Sequence, residues 1–195
     1  MKPKLLTEIN YITYDRDIIA EAHNPNMPLI LKNVVLQRAN AKNQNGRVYP
    51  RDILFRESKK YLTEFVAQNR AVGELDHPES PVVNLKNVSH TILRMEVVGD
   101  DVRGDIKVLT TPSGNIVREL IKNNIRLGVS SRGMGSVKTV DEDTVQVEED
   151  YSLICFDIVS NPSTYGAYIN ENVQLRNPLA SINSLIHDFL TEIGS

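Results

Sequence analysis

Two adjacent serines, Ser130 and Ser131, lie between a short apolar run, Leu127-Gly128-Val129, and the glycine-rich string Arg132-Gly133-Met134-Gly135. A hydroxyl at the end of a buried element, beside glycines that let backbone N–H groups come close to a ligand, suits a nucleophile next to an oxyanion hole. A serine attacks only when a base takes its proton. The best base in the chain is His77, in Gly73-Glu74-Leu75-Asp76-His77-Pro78, where Pro78 restricts the backbone around the imidazole. His90, in Val88-Ser89-His90-Thr91, is the rival. The base in turn needs an acceptor on its other ring nitrogen. Asp157 interrupts an apolar string, Ser152-Leu153-Ile154-Cys155-Phe156-Asp157-Ile158-Val159, and a buried carboxylate there is costly unless paired. Strand alternation in the other phase turns it to solvent, and Glu74 and Asp76 are then the fallback acceptors. Ser130 and Ser131 point to opposite faces of an extended strand, so the sequence leaves open which face carries the site.

Other chemistries find no residues. There is no His-Glu-x-x-His or Cys/His cluster for a metal and no Gly-x-x-x-x-Gly-Lys-Ser/Thr phosphate loop, so neither metal nor cofactor is expected. The Gly-x-Ser-x-Gly elbow of common esterases is absent too. The net charge of −3 and an aromatic content of 6%, without tryptophan, predict no nucleic-acid partner. Cys155 is the only cysteine, which excludes an intrachain disulfide, fits a reducing compartment, and reads as a buried hydrophobe within its apolar run. No segment approaches the ~20 apolar residues of a membrane span, and the start lacks a signal-peptide core, so no membrane association is expected.

The positioning elements follow from hydrophobic patterning. Residues 29–37 read as a strand, 40–50 as a polar loop with an Asn-Gly turn, and 51–69 as a helix opened by Pro50. The string 73–78 reads as a loop or short strand. Residues 88–98 and 102–109 form a hairpin across Gly99-Asp100-Asp101, and Thr111-Pro112-Ser113 opens a helix that runs to about Arg126. A second hairpin spans 137–147, and 151–159 is the most apolar strand. An amphipathic helix fills 178–195. Strands do not alternate regularly with helices, so a parallel doubly wound sheet is excluded. The expected class is α+β, an antiparallel sheet or barrel core with inserted helices. We expect one domain over 1–195, with 1–28 and 178–195 as appendages.

Three strings in this order, Asn43-x-Asn45-Gly46-Arg47-x-Tyr49-Pro50, Gly73-Glu74-Leu75-x-His77-Pro78 and Gly128-Val129-Ser130-Ser131-Arg132-Gly133-x-Gly135, resemble the prohead core proteases of T-even-like tailed phages. The resemblance runs from about residue 29 to residue 163. It implies a fold related to the herpesvirus assemblins, with His77 as general base, Ser130 as nucleophile and Asp157 as third member. Ser131, Arg132 and Gly133 would form or support the oxyanion hole. It further implies a serine endopeptidase that works inside the prohead, in the host cytoplasm, on scaffold or core proteins and the major capsid protein, cutting after Glu in Leu/Ile-x-Glu. A homo-oligomer is compatible with the terminal amphipathic helix.

Leu-Thr-Glu occurs at 6–8, 62–64 and 190–192. Two copies lie near the termini, where cleavage concentrates, so self-trimming after Glu8 or Glu192 is expected. The copy in the predicted helix should be protected. Two other readings compete with the protease: a non-catalytic scaffold or structural phage protein on the same fold, and a hydrolase of small esters.

Overall fold

A computed structural model describes residues 3–43 and 45–160. Ten strands and three helices follow in the order β1 (Lys4–Tyr11), α1 (Arg16–His23), β2 (Leu29–Arg38), β3 (Arg47–Val48), α2 (Arg51–Tyr61), β4 (Val72–Glu74), β5 (Val88–Val98), β6 (Asp101–Val108), α3 (Pro112–Lys122), β7 (Gly128–Gly135), β8 (Val137–Asp141), β9 (Thr144–Val147) and β10 (Ser152–Val159). They make three sheets, ordered β1-β7-β10, β2-β6-β5-β4 and β3-β9-β8. Every pairing is antiparallel except β3 with β9. The expected α+β class holds. The barrel alternative does not, because the strands described here form separate open sheets.

Most predicted elements stand within a residue or two of their expected ends. Two differ for identifiable reasons. The helix over 51–69 is α-helical only to Tyr61 and continues through Leu62–Val66 as a π-helical turn, so the Leu62-Thr63-Glu64 copy is helical. The helix after Pro112, capped by the Thr111 side chain on the Gly114 amide at 3.1 Å, ends at Lys122 rather than near Arg126. Asn124 adopts φ +55° there and donates its N–H to the Ile121 carbonyl, which closes the helix and leaves Ile125 half exposed.

Part of the segment 1–28, expected as an appendage, is a strand of a central sheet. Strand β1 pairs along its whole length with β7, so that Ile9 stands opposite Ser130 and Glu8 opposite Ser131. Leu6 enters the apolar core, and Glu8 is buried against Asn43, Arg47 and Tyr49. Arg47 Nη1 donates to Glu8 Oε1 at 2.7 Å and to the Thr7 carbonyl at 3.1 Å. The Asn-x-Asn-Gly-Arg-x-Tyr-Pro string is therefore the dock that holds β1 on β7. The amphipathic helix expected over 178–195 lies outside the described residues.

Buried side chains from all three sheets and from α2 and α3 form one core, including Leu6, Leu31, Leu54, Ile106, Ile121 and Phe156. Among the described residues, no helix is long and apolar enough to cross a membrane.

Candidate active site

The site is built on the β7–β10 pair. In their register Asp157 stands directly opposite Ser130. Residues directly across an antiparallel pair project to the same face, so the strand pairing alone brings a carboxylate beside the hydroxyl. The period of two also puts Arg132 on the face of Ser130 and Ser131 on the other. Asp157, Ser130 and Arg132 are all fully buried, with 0% exposure.

The imidazole arrives from β4. This strand crosses close over β10: a Cβ on Gly73 would lie 1.9 Å from the Phe156 carbonyl oxygen and 2.5 Å from the His90 ring. Only glycine allows that crossing. The chain then turns at Asp76, whose φ is +64° and whose N–H donates to the Ile158 carbonyl at 2.8 Å. This turn sets His77 above the β7–β10 pair. His77 Nδ1 lies 2.9 Å from Asp157 Oδ2, and Nε2 makes a short hydrogen bond with Ser130 Oγ. The His77 side chain is 20% exposed, so solvent meets the group at the imidazole.

Charge fixes the proton positions. Burial works to raise the Asp157 carboxyl. The hydrogen bond from His77, the Arg132 guanidinium and the Glu74 N–H at 3.0 Å outweigh it and hold the group below the usual carboxylate range. An ionised carboxylate only accepts, so Nδ1 carries the ring proton and donates it to Asp157. Nε2 is left with its lone pair toward the Ser130 hydroxyl. This is the geometry of a general base on a nucleophile, oriented by an acid.

The rival residues have other employment. His90 is fully buried. Burial lowers its pKa to about 4, against the raising effect of Asp157 and of its bond to the Phe156 carbonyl. As a neutral ring it donates Nε2–H to that carbonyl at 3.0 Å and accepts from Ser89 Oγ at 2.9 Å on Nδ1. Both nitrogens are occupied away from Ser130. Asp76 is exposed and serves the turn. Glu74 contributes its amide to Asp157, while its carboxylate turns to Arg132 at 2.8 Å.

The oxyanion expectation for Ser131, Arg132 and Gly133 does not match where they lie. All three are paired between β1 and β10 in the middle of their sheet. A Cβ on Gly133 would meet the Tyr151 ring at 2.5 Å, so this glycine makes room for packing. The Arg132 guanidinium reaches sideways to Asp157, with Nε 2.9 Å from Oδ2 and Nη2 3.2 Å from Oδ1. It supports the acid rather than a substrate oxygen.

The sequence reading missed the surroundings of Arg132. Cys155 is buried as expected, but its Sγ lies 3.1 Å from Arg132 Nη2 and 3.4 Å from Asp157 Oδ1, inside a polar cluster. Burial pushes its thiol well up, which leaves it protonated and unreactive. Arg132 Nη1 also donates to the Ser80 carbonyl at 2.7 Å. A signal was present: an arginine two residues from Ser130 on a buried strand must find carboxylates on that face. Among the described residues no group of three or more His, Cys, Asp or Glu side chains could hold a metal ion.

Known proteins point the same way. The chain is 34% identical over 140 residues to the prohead core protein protease of Enterobacteria phage T4, a match spanning 69% of this chain and 65% of that protein's length. Its fold superposes on the bacteriophage T4 capsid assembly protease with a TM-score of 0.71 at 26% identity, covering 83% of this chain and all of that structure. A family model described as prohead core protein serine protease matches residues 20–177, so the chain belongs to that family.

Proposed function

We propose that this protein is a serine endopeptidase of phage prohead maturation, with Ser130 as nucleophile, His77 as general base and Asp157 as orienting acid. The hydrogen-bonded line from Asp157 through His77 to Ser130 carries the reading. His77 Nε2 takes the hydroxyl proton as Oγ attacks the scissile carbonyl, and returns it to the leaving amine. The acyl-enzyme that results is opened by a water that Nε2 deprotonates. Asp157 holds the ring with Nδ1–H inward and stabilises the imidazolium that forms in each step. Ser130 has no exposed surface here, so a substrate carbonyl reaches Oγ only after local opening. A scaffold protein without catalysis has no use for a buried, fully oriented triad, which disfavours the structural alternative.

The substrates we assign are the scaffold or core proteins and the major capsid protein, cut inside the prohead after Glu in Leu/Ile-x-Glu. Membership of the family supports this, together with the names of the T4 relatives. We also assign self-trimming, after Glu192. The copy ending at Glu8 is withheld by its pairing with β7 and by the burial of Glu8.

The test compares the protein with its Ser130→Ala variant on a Leu-Thr-Glu peptide, read by mass spectrometry. Cleavage after Glu by the parent and none by the variant is expected. Equal cleavage by both would remove Ser130 from the mechanism. Parallel labelling with a fluorophosphonate, located by peptide mapping, separates a missing nucleophile from a poor peptide.

A further inference from the structure

The buried ion cluster behind the triad carries more than the triad needs. Arg132, Glu74 and Asp157 are each completely removed from solvent. The guanidinium helps keep Asp157 ionised, but it must itself be desolvated, and that cost offsets much of the gain. Arg132 has four partners, one of them the Cys155 thiol already described. Nε and Nη2 meet Asp157, Nη2 also donates to Glu74 Oε1, and Nη1 donates to the Ser80 carbonyl. Glu74 divides its carboxylate likewise. Oε1 accepts from the Asn84 N–H at 3.0 Å, and Oε2 accepts from Asn87 Nδ2 at 3.3 Å. Ser80, Asn84 and Asn87 belong to the segment that follows His77.

We propose that Glu74 and Arg132 are a positioning pair: together they pin the segment after His77 to the nucleophile strand, and Glu74 cancels the charge of Arg132 so that Asp157 acts on His77 with a full negative charge. The proposal rests on the triad reading above. The sum of charges is the point. Glu74 and Asp157 contribute one negative charge each and Arg132 one positive, which leaves the cluster at minus one beside the imidazole. Without Glu74 the cluster is neutral, and the imidazolium formed during catalysis loses its counter-charge. The other ionisable groups packed around Asp157 do not interfere near neutrality. His90 on β5 stays neutral down to a pKa of about 4, and burial raises the Cys155 thiol on β10 and the Tyr61 phenol on α2.

The probe is a fluorophosphonate, whose rate of reaction with Ser130 needs only the nucleophile and its base. That rate is followed against pH for the parent, Glu74→Gln and Arg132→Lys, with the fraction of folded protein measured by near-UV circular dichroism. For Glu74→Gln we expect the acid limb of the profile to move down by roughly one pH unit, because a less negative cluster disfavours the imidazolium. We expect its plateau rate to drop about tenfold. Arg132→Lys keeps the charge and loses the fork, so its limb stays in place while its plateau falls. A Glu74→Gln profile that superposes on the parent after scaling by folded fraction would overturn the proposal and leave Glu74 a packing residue. A parent protein unlabelled at Ser130, with labelling elsewhere or nowhere, would overturn the triad reading beneath it.

Discussion

At the scale of single residues, the proposed chemistry turns on Asp157. Its two oxygens receive four hydrogen bonds, from His77, Arg132 Nη2, the Glu74 amide and, at longer range, the Cys155 thiol, and Arg132 Nε lies 2.9 Å from Oδ2 as an ion pair. Replacing it with asparagine keeps the shape but removes the charge that fixes Nδ1 as the protonated nitrogen. The ring can then turn over and present Nε2–H to Ser130. We expect Asp157→Asn to fold and to lose on the order of 10³- to 10⁴-fold in peptide cleavage rate. A variant within tenfold of the parent would mean that Asp157 is structural. Ser131 shows the same logic in reverse. One residue along the strand, it faces away from His77 and has no base, so adjacency in sequence counts for nothing where the period is two.

At the scale of elements, β7 is held from both sides. Strand β10 delivers Asp157 to one edge, and β1 fills the other. The β1 contact depends on Glu8, whose carboxylate sits among Asn43, Arg47 and Tyr49 rather than at a free terminus. A peptide bond must leave its sheet and enter a protease in extended form to be cut, and β1 is tied down by eight register pairs and a buried ion pair. We therefore expect the intact mass of purified protein, after long incubation, to retain residues 1–8 while losing the segment after Glu192. Loss of the first eight residues would show that β1 detaches in solution.

For the whole molecule, two buried groups, Glu8 and His90, shape the pH dependence of stability. Burial raises Glu8 from an ordinary 4.5 to about 7, against the lowering effect of Arg47 and Tyr49. A carboxyl raised on folding stabilises the protein fully below its unfolded value, and that contribution drains away as pH rises toward 7. His90 runs the other way. Its value falls from 6.5 to about 4, so its contribution is complete above 6.5 and is lost as pH falls toward 4. Between about pH 4.5 and 6.5 the two slopes oppose each other. Each amounts to about 1.4 kcal/mol per pH unit at most. Urea unfolding of the parent should therefore show little net slope from this pair across that window. Glu8→Gln should expose the His90 term as stability that rises with pH. Parallel curves for parent and variant would show that Glu8 does not titrate there.

Local patterning marked the candidate residues and most of the elements. Turn glycines, the Thr111 cap, the proline starts and strand alternation act over a few residues, so they are legible without a fold. It also narrowed the chemistry to one serine pair, two histidines and three carboxylates. Only the packed fold brings His77, Ser130 and Asp157 together, because their proximity depends on register. The pairing of β7 with β10 put Asp157 opposite Ser130, and the close crossing of β4 at Gly73 carried His77 over both. The same register turned Arg132 from an expected oxyanion donor into the partner of Asp157 and Glu74. It also drew β1, which looked like a loose end, into the sheet that carries Ser130. Contacts between residues far apart in the chain leave no local pattern, so the packing alone could specify them.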